Sequence, residues 1–353
     1  MTTIDDLETP AIVIDLARVE ANLKRAQAHA DANGYKLRPH TKTHKIPRFA
    51  QRQVELGAHG ITVQKLGEAE VMADAGLTDI FVPYNIIGDK KLSRLKALNE
   101  RITIAVTADS PDTVAGYAAA FARSAAPPLT VLVECDTGGA RCGVQSPAQA
   151  LALARQIESS PGLRFGGLMT YPPRGEMAAA DRWLGEAKTM LETAGIEVPV
   201  VTAGNSPDMW HVGDRVVTER RPGTYIYFDR SQVAFGAAGY EDCALTVLAT
   251  VVSRPTSTRA IVDAGSKSLS SDLFGQTGYG CLMGHEDIAL AALSEEHGII
   301  TLPTPSDWPR VGDRVRIVPN HCCVVSNLFD DVHLVHADGS IETVPVAARG
   351  RVD

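Results

Sequence analysis

The sequence predicts an α/β protein: a (β/α)8 barrel of the TIM type followed by a second, mostly β domain. Three observations carry this reading. At 353 residues the chain suits a barrel with an extension or about two domains. Eight short apolar, β-branched runs alternate with helical patterns up to about residue 220. Beyond about residue 240 the helical patterns fade, and strand patterns joined by Gly, Pro, Ser and Asp take over.

The elements follow in order. A short strand at 11–14, within an N-terminal stretch 1–15, can be assigned to either domain. Asp15 is placed to cap a helix in which Leu16, Val19, Leu23, Ala26 and Ala30 recur at helical spacing and which Gly34 closes. The eight strand-like runs lie at 35–39, 60–64, 79–83, 102–107, 129–134, 164–170, 198–203 and 215–221. Helices are expected at 46–56, 66–75, 90–98, 111–122, 147–157 and 178–194. This alternation implies a parallel sheet, and eight repeats favour a closed barrel over an open doubly wound sheet. Later strands are expected at 246–252, 259–263, 314–318 and 332–336. The expected domains are therefore a barrel at 16–238 and a β domain at 239–353.

Composition excludes several functions. There are 34 basic against 42 acidic residues, a net charge of −8, where nucleic-acid binding needs a concentrated basic face. No stretch approaches the ~18 apolar residues of a membrane span. Met1-Thr2-Thr3-Ile4-Asp5-Asp6 lacks the basic and apolar regions of a signal peptide, so a cytoplasmic location is expected. In that compartment the six cysteines are expected to be reduced. Cys135, Cys142, Cys243 and Cys281 sit in or beside apolar runs and read as core. His29, His59, His211 and His285 read as structural or surface residues, and Tyr225 and Tyr227 as packing residues.

In a barrel of this type the chemistry belongs at the C-terminal ends of the strands. There the sequence places Arg38-Pro39-His40-Thr41-Lys42-Thr43-His44-Lys45, then Gln64-Lys65, Asp136, Arg141 and Tyr171. Gly204-Asn205-Ser206 and Arg221-Pro222-Gly223-Thr224 follow the last two strands. Their small and hydroxyl residues suit a phosphate, as barrels often bind one near strands seven and eight; turn glycines are the plainer reading. His40, His44 and Lys45 around Lys42 would disfavour its charge and free the amine for Schiff-base chemistry; a charged surface loop is the alternative. His321-Cys322-Cys323 follows a strand. In an extended chain His321 and Cys323 would face one side and could share a metal, with Cys322 turned away. Buried cysteines at a strand end are the alternative. Arg174 is a candidate for a substrate carboxylate or a surface residue.

These residues together resemble a known family. Thr9-Pro10, Arg38-Pro39-His40-Thr41-Lys42-Thr43-His44-Lys45 and Gly57-Ala58 with Gly60-Ile61 and Gln64-Lys65 resemble the D-threonine aldolase and D-serine dehydratase group. The likeness continues through Glu134, Asp136 and Gly138, through Arg141-Cys142-Gly143-Val144 and Tyr171, and through Arg221-Pro222-Gly223-Thr224-Tyr225. Asp263-Ala264-Gly265 with Lys267, and His321 with Cys323, complete it. That group consists of pyridoxal-phosphate enzymes with the alanine racemase fold.

The resemblance implies roles. Lys42 would carry pyridoxal phosphate as a Schiff base and act as catalyst with Tyr171, which lies beside the ring. Arg141 would reach the cofactor's phenolic oxygen, and Gln64 belongs to the cofactor set. Asn205, Ser206, Gly223, Thr224 and Tyr225 match the phosphate cradle, and Arg221 matches an arginine at the pyridine nitrogen. His321 and Cys323 match the divalent-metal pair, with Zn2+ favoured and Mn2+ the alternative. Dehydratases of the group typically show His-x-Cys there and the better known aldolases His-x-Asp. The implied activity is therefore dehydration of a D-β-hydroxy amino acid to a 2-oxo acid and ammonia, with retro-aldol cleavage as the alternative. An amino-acid racemase and a non-catalytic cofactor carrier are further alternatives. The expected partner is a small D-amino acid, and the expected assembly is a homodimer.

Overall fold

β1 (Ala11–Asp15) runs directly into α1 (Leu16–Asn33). Asp15 Oδ1 accepts the Arg18 amide at 3.1 Å, and Gly34 leaves the helix at φ +70°. The computed structural model describes residues 3–353; Met1 and Thr2, part of the expected N-terminal stretch 1–15, lie outside the described residues. The chain divides into two compact units. One comprises 26–42, 47–223 and 351–353; the other comprises the chain up to Arg25, then 43–46 and 224–350.

The first unit contains β2 (Lys36–Leu37), α2 (Pro47–Glu55), β3 (Ile61–Thr62), α3 (Leu66–Asp74), β4 (Asp79–Val82) and α4 (Asp89–Asn99). β5 (Thr103–Ala108), α5 (Pro111–Phe121), β6 (Leu129–Glu134), α6 (Pro147–Ser159), β7 (Leu163–Met169), α7 (Met177–Thr193), β8 (Val200–Ala203) and β9 (Glu219–Arg220) complete it. The eight strands are parallel, in the order β2-β9-β8-β7-β6-β5-β4-β3. The two ends join: the Thr62 amide donates to Pro39 O at 2.7 Å, the His59 amide donates to Leu37 O at 2.8 Å, and His40 bridges Thr62. Each expected run coincides with one strand. The runs at 35–39, 60–64 and 215–221 shrink to two-residue ladders; past the first and last of these, Pro39 and Pro222 have no amide to donate.

Side chains alternate along the strands. Val131 and Val133 of β6 join the main core, where Leu95, Leu184 and Leu191 of the helices are fully buried. Each such leucine contributes on the order of 1.5–3 kcal/mol. Leu132 points to the opposite face, with Phe81 and Met169. Ser110 and Ser146 cap α5 and α6 by accepting the Thr113 and Gln149 amides, each ahead of a proline at the first helical position. β7 bulges at Gly166-Gly167. Gly167 has φ +127°, and a Cβ there would lie 1.9 Å from Val200 O, so only glycine fits.

The second unit holds β1, a short α8 (Arg230–Ala234), β10 (Leu245–Thr256), β11 (Arg259–Val262), β12 (Gly280–Leu282), β13 (His285–Leu293) and β14 (Gly298–Thr301). It continues with β15 (Arg314–Pro319), α9 (Cys322–Leu328), β16 (Asp331–Val335) and β17 (Ile341–Pro345). Its sheet order is β11-β14-β13-β12-β15-β10-β1-β16-β17. β1 sits inside that sheet, antiparallel to β10 and parallel to β16, with Ile12, Val13 and Ile14 fully buried.

All six cysteines are free. Cys135, Cys243 and Cys281 are buried, as expected. Cys142 is exposed, because it lies in a glycine-rich loop after β6 rather than in a strand. Among the described residues no helix is long and apolar enough to cross a membrane.

Candidate active site

In the barrel unit, three segments follow three adjacent strands: 38–42 after β2, 221–223 after β9 and 204–206 after β8. The His40 amide donates to Pro222 O at 2.9 Å, and the Gly223 amide donates to Ser206 Oγ at 3.0 Å, which ties the segments together. Gly204 turns the chain at φ +111°. The Asn205 side chain is engaged in shaping this turn: its amide donates to Pro172 O and Asp208 Oδ2, and its oxygen accepts the Asp208 amide.

Lys42, at the end of the 38–42 segment, is half-buried. The expected crowd of charges around it resolves differently. His40 Nδ1 accepts the Lys42 amide at 3.3 Å, and its Nε2 lies 3.0 Å from Gln64 Oε1, the arrangement of a neutral imidazole. His44 Nδ1 accepts the Ile46 amide at 3.1 Å. Lys45, at φ +55°, reaches Asn327 at 2.8 Å in the β unit. The histidines therefore act as acceptors that shape the Lys42 turn, and Gln64 holds His40 in place.

Arg221 is buried. Its guanidinium donates to Thr170 O at 2.8 Å and pairs with Thr202 Oγ1. Burial is the main influence on it and outweighs the Glu219 and Glu134 carboxylates, so its pKa is pushed down to about 10. Thr202 in turn donates to Glu219 Oε1 at 2.8 Å, and Arg38 donates to Glu219 Oε2 at 2.7 Å. Arg141 lies 3.7 Å from Glu134 and 4.9 Å from the centre of the exposed Tyr171 ring. Burial raises the Glu134 pKa against the lowering pull of Arg141. Glu134, Asp136, Arg141, Cys142, Tyr171 and Pro173 line a cavity of about 240 Å3. Arg174 is exposed outside it. An amine, a buried guanidinium and a turn of small and hydroxyl donors suit a phosphorylated pyridine cofactor.

In the β unit the sequence reading needs a correction. His321 to Cys323 is not extended: His321 is the N-cap of α9 and Cys323 its second residue. The cause is Asp229. Its buried carboxylate accepts the Cys322 amide at 3.0 Å through Oδ2, and the Gln232 amide and Ser231 hydroxyl through Oδ1, so it caps both short helices. Cys322 is buried, while Cys323 is only half-buried. The Cys323 sulfur lies 3.1 Å from Thr43 Oγ1 and 3.8 Å from Thr224 Oγ1. Tyr225 is buried.

The Cys322 thiol, then the His321 charge, hold the Cys323 thiol well below its ordinary pKa against burial. Burial opposes charge on His321, but the Cys323 thiolate, Asp229 and Asp272 outweigh it and push its pKa up to about 10. An imidazole and a thiolate are borderline-soft donors that fit a zinc-class ion. Among the described residues no group of three or more His, Cys, Asp or Glu surrounds them, so a metal there would complete its shell with water or substrate oxygen.

Sequence reasoning missed Thr43 as a neighbour of Cys323, although it lies inside the 38–45 segment. It also missed Thr202, Glu219, Asp229 and Asp272; no spacing signal connects these to the residues they support.

A family model described as the alanine racemase N-terminal domain matches residues 14–231, and one described as a putative serine dehydratase domain matches residues 244–335. The chain is 35% identical to the D-threonine aldolase of Arthrobacter sp, covering 98% of this chain and 93% of that protein. It belongs to the D-threonine aldolase and D-serine dehydratase group. Solved members of this group share the whole fold. The D-threonine aldolase from Filomicrobium marinum superposes with a TM-score of 0.90 at 32% identity, covering 99% of this chain and 98% of that one. The D-threo-3-hydroxyaspartate dehydratase from Delftia sp. HT23 gives 0.89 at 34%, covering 98% and 99%. A cysteine-to-alanine variant of that dehydratase is solved in a metal-free form, and a histidine-to-alanine variant is also solved. Membership of this group makes the chain an enzyme, a lyase, and the alanine racemase fold implies pyridoxal phosphate.

Proposed function

We propose that this chain is a pyridoxal-phosphate and metal-dependent dehydratase of a D-β-hydroxy amino acid, releasing a 2-oxo acid and ammonia. The observation that carries it is the pair His321 and Cys323, with a low-pKa thiolate rather than a carboxylate as the second ligand. The altered histidine and cysteine of the Delftia dehydratase are two residues apart, the spacing seen here, and its cysteine variant is described as metal-free. Zn2+ is the favoured ion and Mn2+ the alternative.

When bound, the cofactor supplies an electron sink for charge developing at Cα, and the metal supplies a Lewis acid for the departing hydroxyl. The chain's own residues do the rest. Lys42 would hold the cofactor through Nζ, and the same amine would serve as the base for the Cα proton. His40, fixed by Gln64, holds the backbone turn that carries that amine. The turn formed by Ser206, Gly223 and Thr224 would hold the phosphate, with Asn205 and Tyr225 shaping its cradle. Arg221, held by Thr202 and Thr170, would serve the pyridine nitrogen as a cation of reduced basicity. Arg141 would serve the cofactor's phenolic oxygen, and Tyr171 would flank its ring. His321 and Cys323 hold the ion.

Cleavage to glycine and an aldehyde is the second reading, favoured by the 35% identity to the Arthrobacter aldolase. The metal pair speaks against a racemase, which has no leaving group to assist. The enzyme acts as a cytoplasmic homodimer on a small D-amino acid in this reading. Incubation with D-threonine, cofactor and Zn2+ or Mn2+ tests it. Accumulation of 2-oxobutanoate and ammonia supports dehydration, glycine with acetaldehyde replaces it by the second reading, and neither product overturns both.

A further inference from the structure

We propose that Asp272 is a positioning residue for the metal centre: it accepts the Nδ1 proton of His321 and so presents Nε2 as the ligand atom. This rests on the reading of His321 and Cys323 as a metal pair. His321 Nδ1 lies 2.9 Å from Asp272 Oδ2. With one proton kept on Nδ1, Nε2 is the nitrogen that gives up its proton and offers its lone pair to the ion. A carboxylate behind a ligating imidazole fixes both the tautomer and the ring plane and raises ligand basicity.

An exposed His–Asp pair would ordinarily contribute little, and the Asp272 side chain is 46% exposed. What sets this pair apart is how its loop is held. Asn320, immediately before His321 and fully buried, donates from Nδ2 to Asp272 O at 3.0 Å and to Gly278 O at 2.8 Å. Arg230 fixes Asn320 through Oδ1 at 3.0 Å. The Asp272 amide donates to buried Ser270 Oγ at 3.1 Å. The same loop applies a second restraint: the Phe274 ring stands edge-on to the His321 ring at 5.0 Å and to Phe235 at 6.3 Å. Phe274 is at φ +48°, a conformation a bulky residue adopts only when its surroundings impose it. The residue before the ligand thus anchors the loop that grips the ligand from two sides.

The test uses the full-length, cofactor-loaded enzyme stripped of metal and titrated with Zn2+ against a chromophoric chelator. Asp272→Ala is expected to weaken Zn2+ binding by about 10-fold or more, the lower end of what such partners contribute because Asp272 is half-exposed. Asp272→Asn keeps a carbonyl oxygen for the Nδ1 proton and is expected to stay within about 3-fold of wild type. The metal-free melting temperature of both variants is expected to match wild type. Wild-type affinity in Asp272→Ala, equal loss in Asp272→Asn, or a lowered metal-free melting temperature in Asp272→Ala each overturns the proposal alone. Failure of the wild-type enzyme to bind Zn2+ overturns the metal reading and this proposal with it.

Discussion

Replacing Asp229 by alanine tests whether a single buried carboxylate holds both the β unit and the His321–Cys323 segment in shape. Asp229 is fully buried and accepts three hydrogen bonds, at 2.6 Å from Ser231 Oγ and 3.0 Å from each of the Gln232 and Cys322 amides. Losing the Gln232 cap costs about 1 kcal/mol. The Cys322 amide is left buried without a partner, which costs about 1–3 kcal/mol more. The Ser231 hydroxyl adds about 1 kcal/mol. The total is roughly 3–5 kcal/mol, and Asp229→Asn, which keeps one acceptor oxygen, is expected to lose about half of it. Urea denaturation followed by circular dichroism, with and without Zn2+, measures this. Because α9 carries Cys323, Zn2+ affinity is expected to fall in step. A loss below about 1 kcal/mol in Asp229→Ala, with Zn2+ affinity unchanged, refutes the capping argument.

Three further outcomes are expected. Lys42→Ala abolishes the yellow absorption of the cofactor-loaded protein and its lyase activity; a retained band in the purified variant removes Lys42 from its role. Gly167→Ala loses about 3–5 kcal/mol or the folded protein altogether, because its Cβ would meet Val200 O at 1.9 Å; a melting curve like wild type refutes that. His29 is depressed below its ordinary pKa by burial, then by Arg220, and its Nε2 is buried without a partner. Its stabilising contribution is therefore full above about pH 6.5 and is lost as pH falls through the lower native value. A His29→Gln variant is expected to flatten that acid limb of a melting-temperature profile, and an unchanged slope counts against it.

The barrel was legible because its signals are local. Apolar strand runs, serine caps before prolines and the Asp15 cap each speak within a few residues of themselves. The β unit was half legible. β10, β11, β15 and β16 carry β-branched runs, whereas β12 is three residues starting at a glycine, and β13 and β17 place Glu286, Asp287 and Glu342 among their apolar positions. At the site, Lys42, Arg221 and the pair at 321 and 323 stood out by residue type. What the sequence hid is the support beneath them. Asp272 reaches His321 from 49 residues away, and Asp229 reaches Cys322 from 93. Asp229 also explains why an extended reading of 321–323 fails: with an acceptor waiting for the Cys322 amide, the chain starts a helix instead.

The position of β1 has a consequence for synthesis. Its parallel partner β16 begins 316 residues after β1 ends, from Asp15 to Asp331. At about 5–20 residues per second, the segment Ile12-Val13-Ile14 leaves the ribosome roughly 15–65 s before that partner exists. Until β10 is made, 230 residues after Asp15, both edges of this apolar strand stay open, and the edge that pairs with β16 stays open for the whole interval. The nascent chain is thus most vulnerable to aggregation at its oldest end, and a truncation that ends before residue 245 makes that transient exposure permanent.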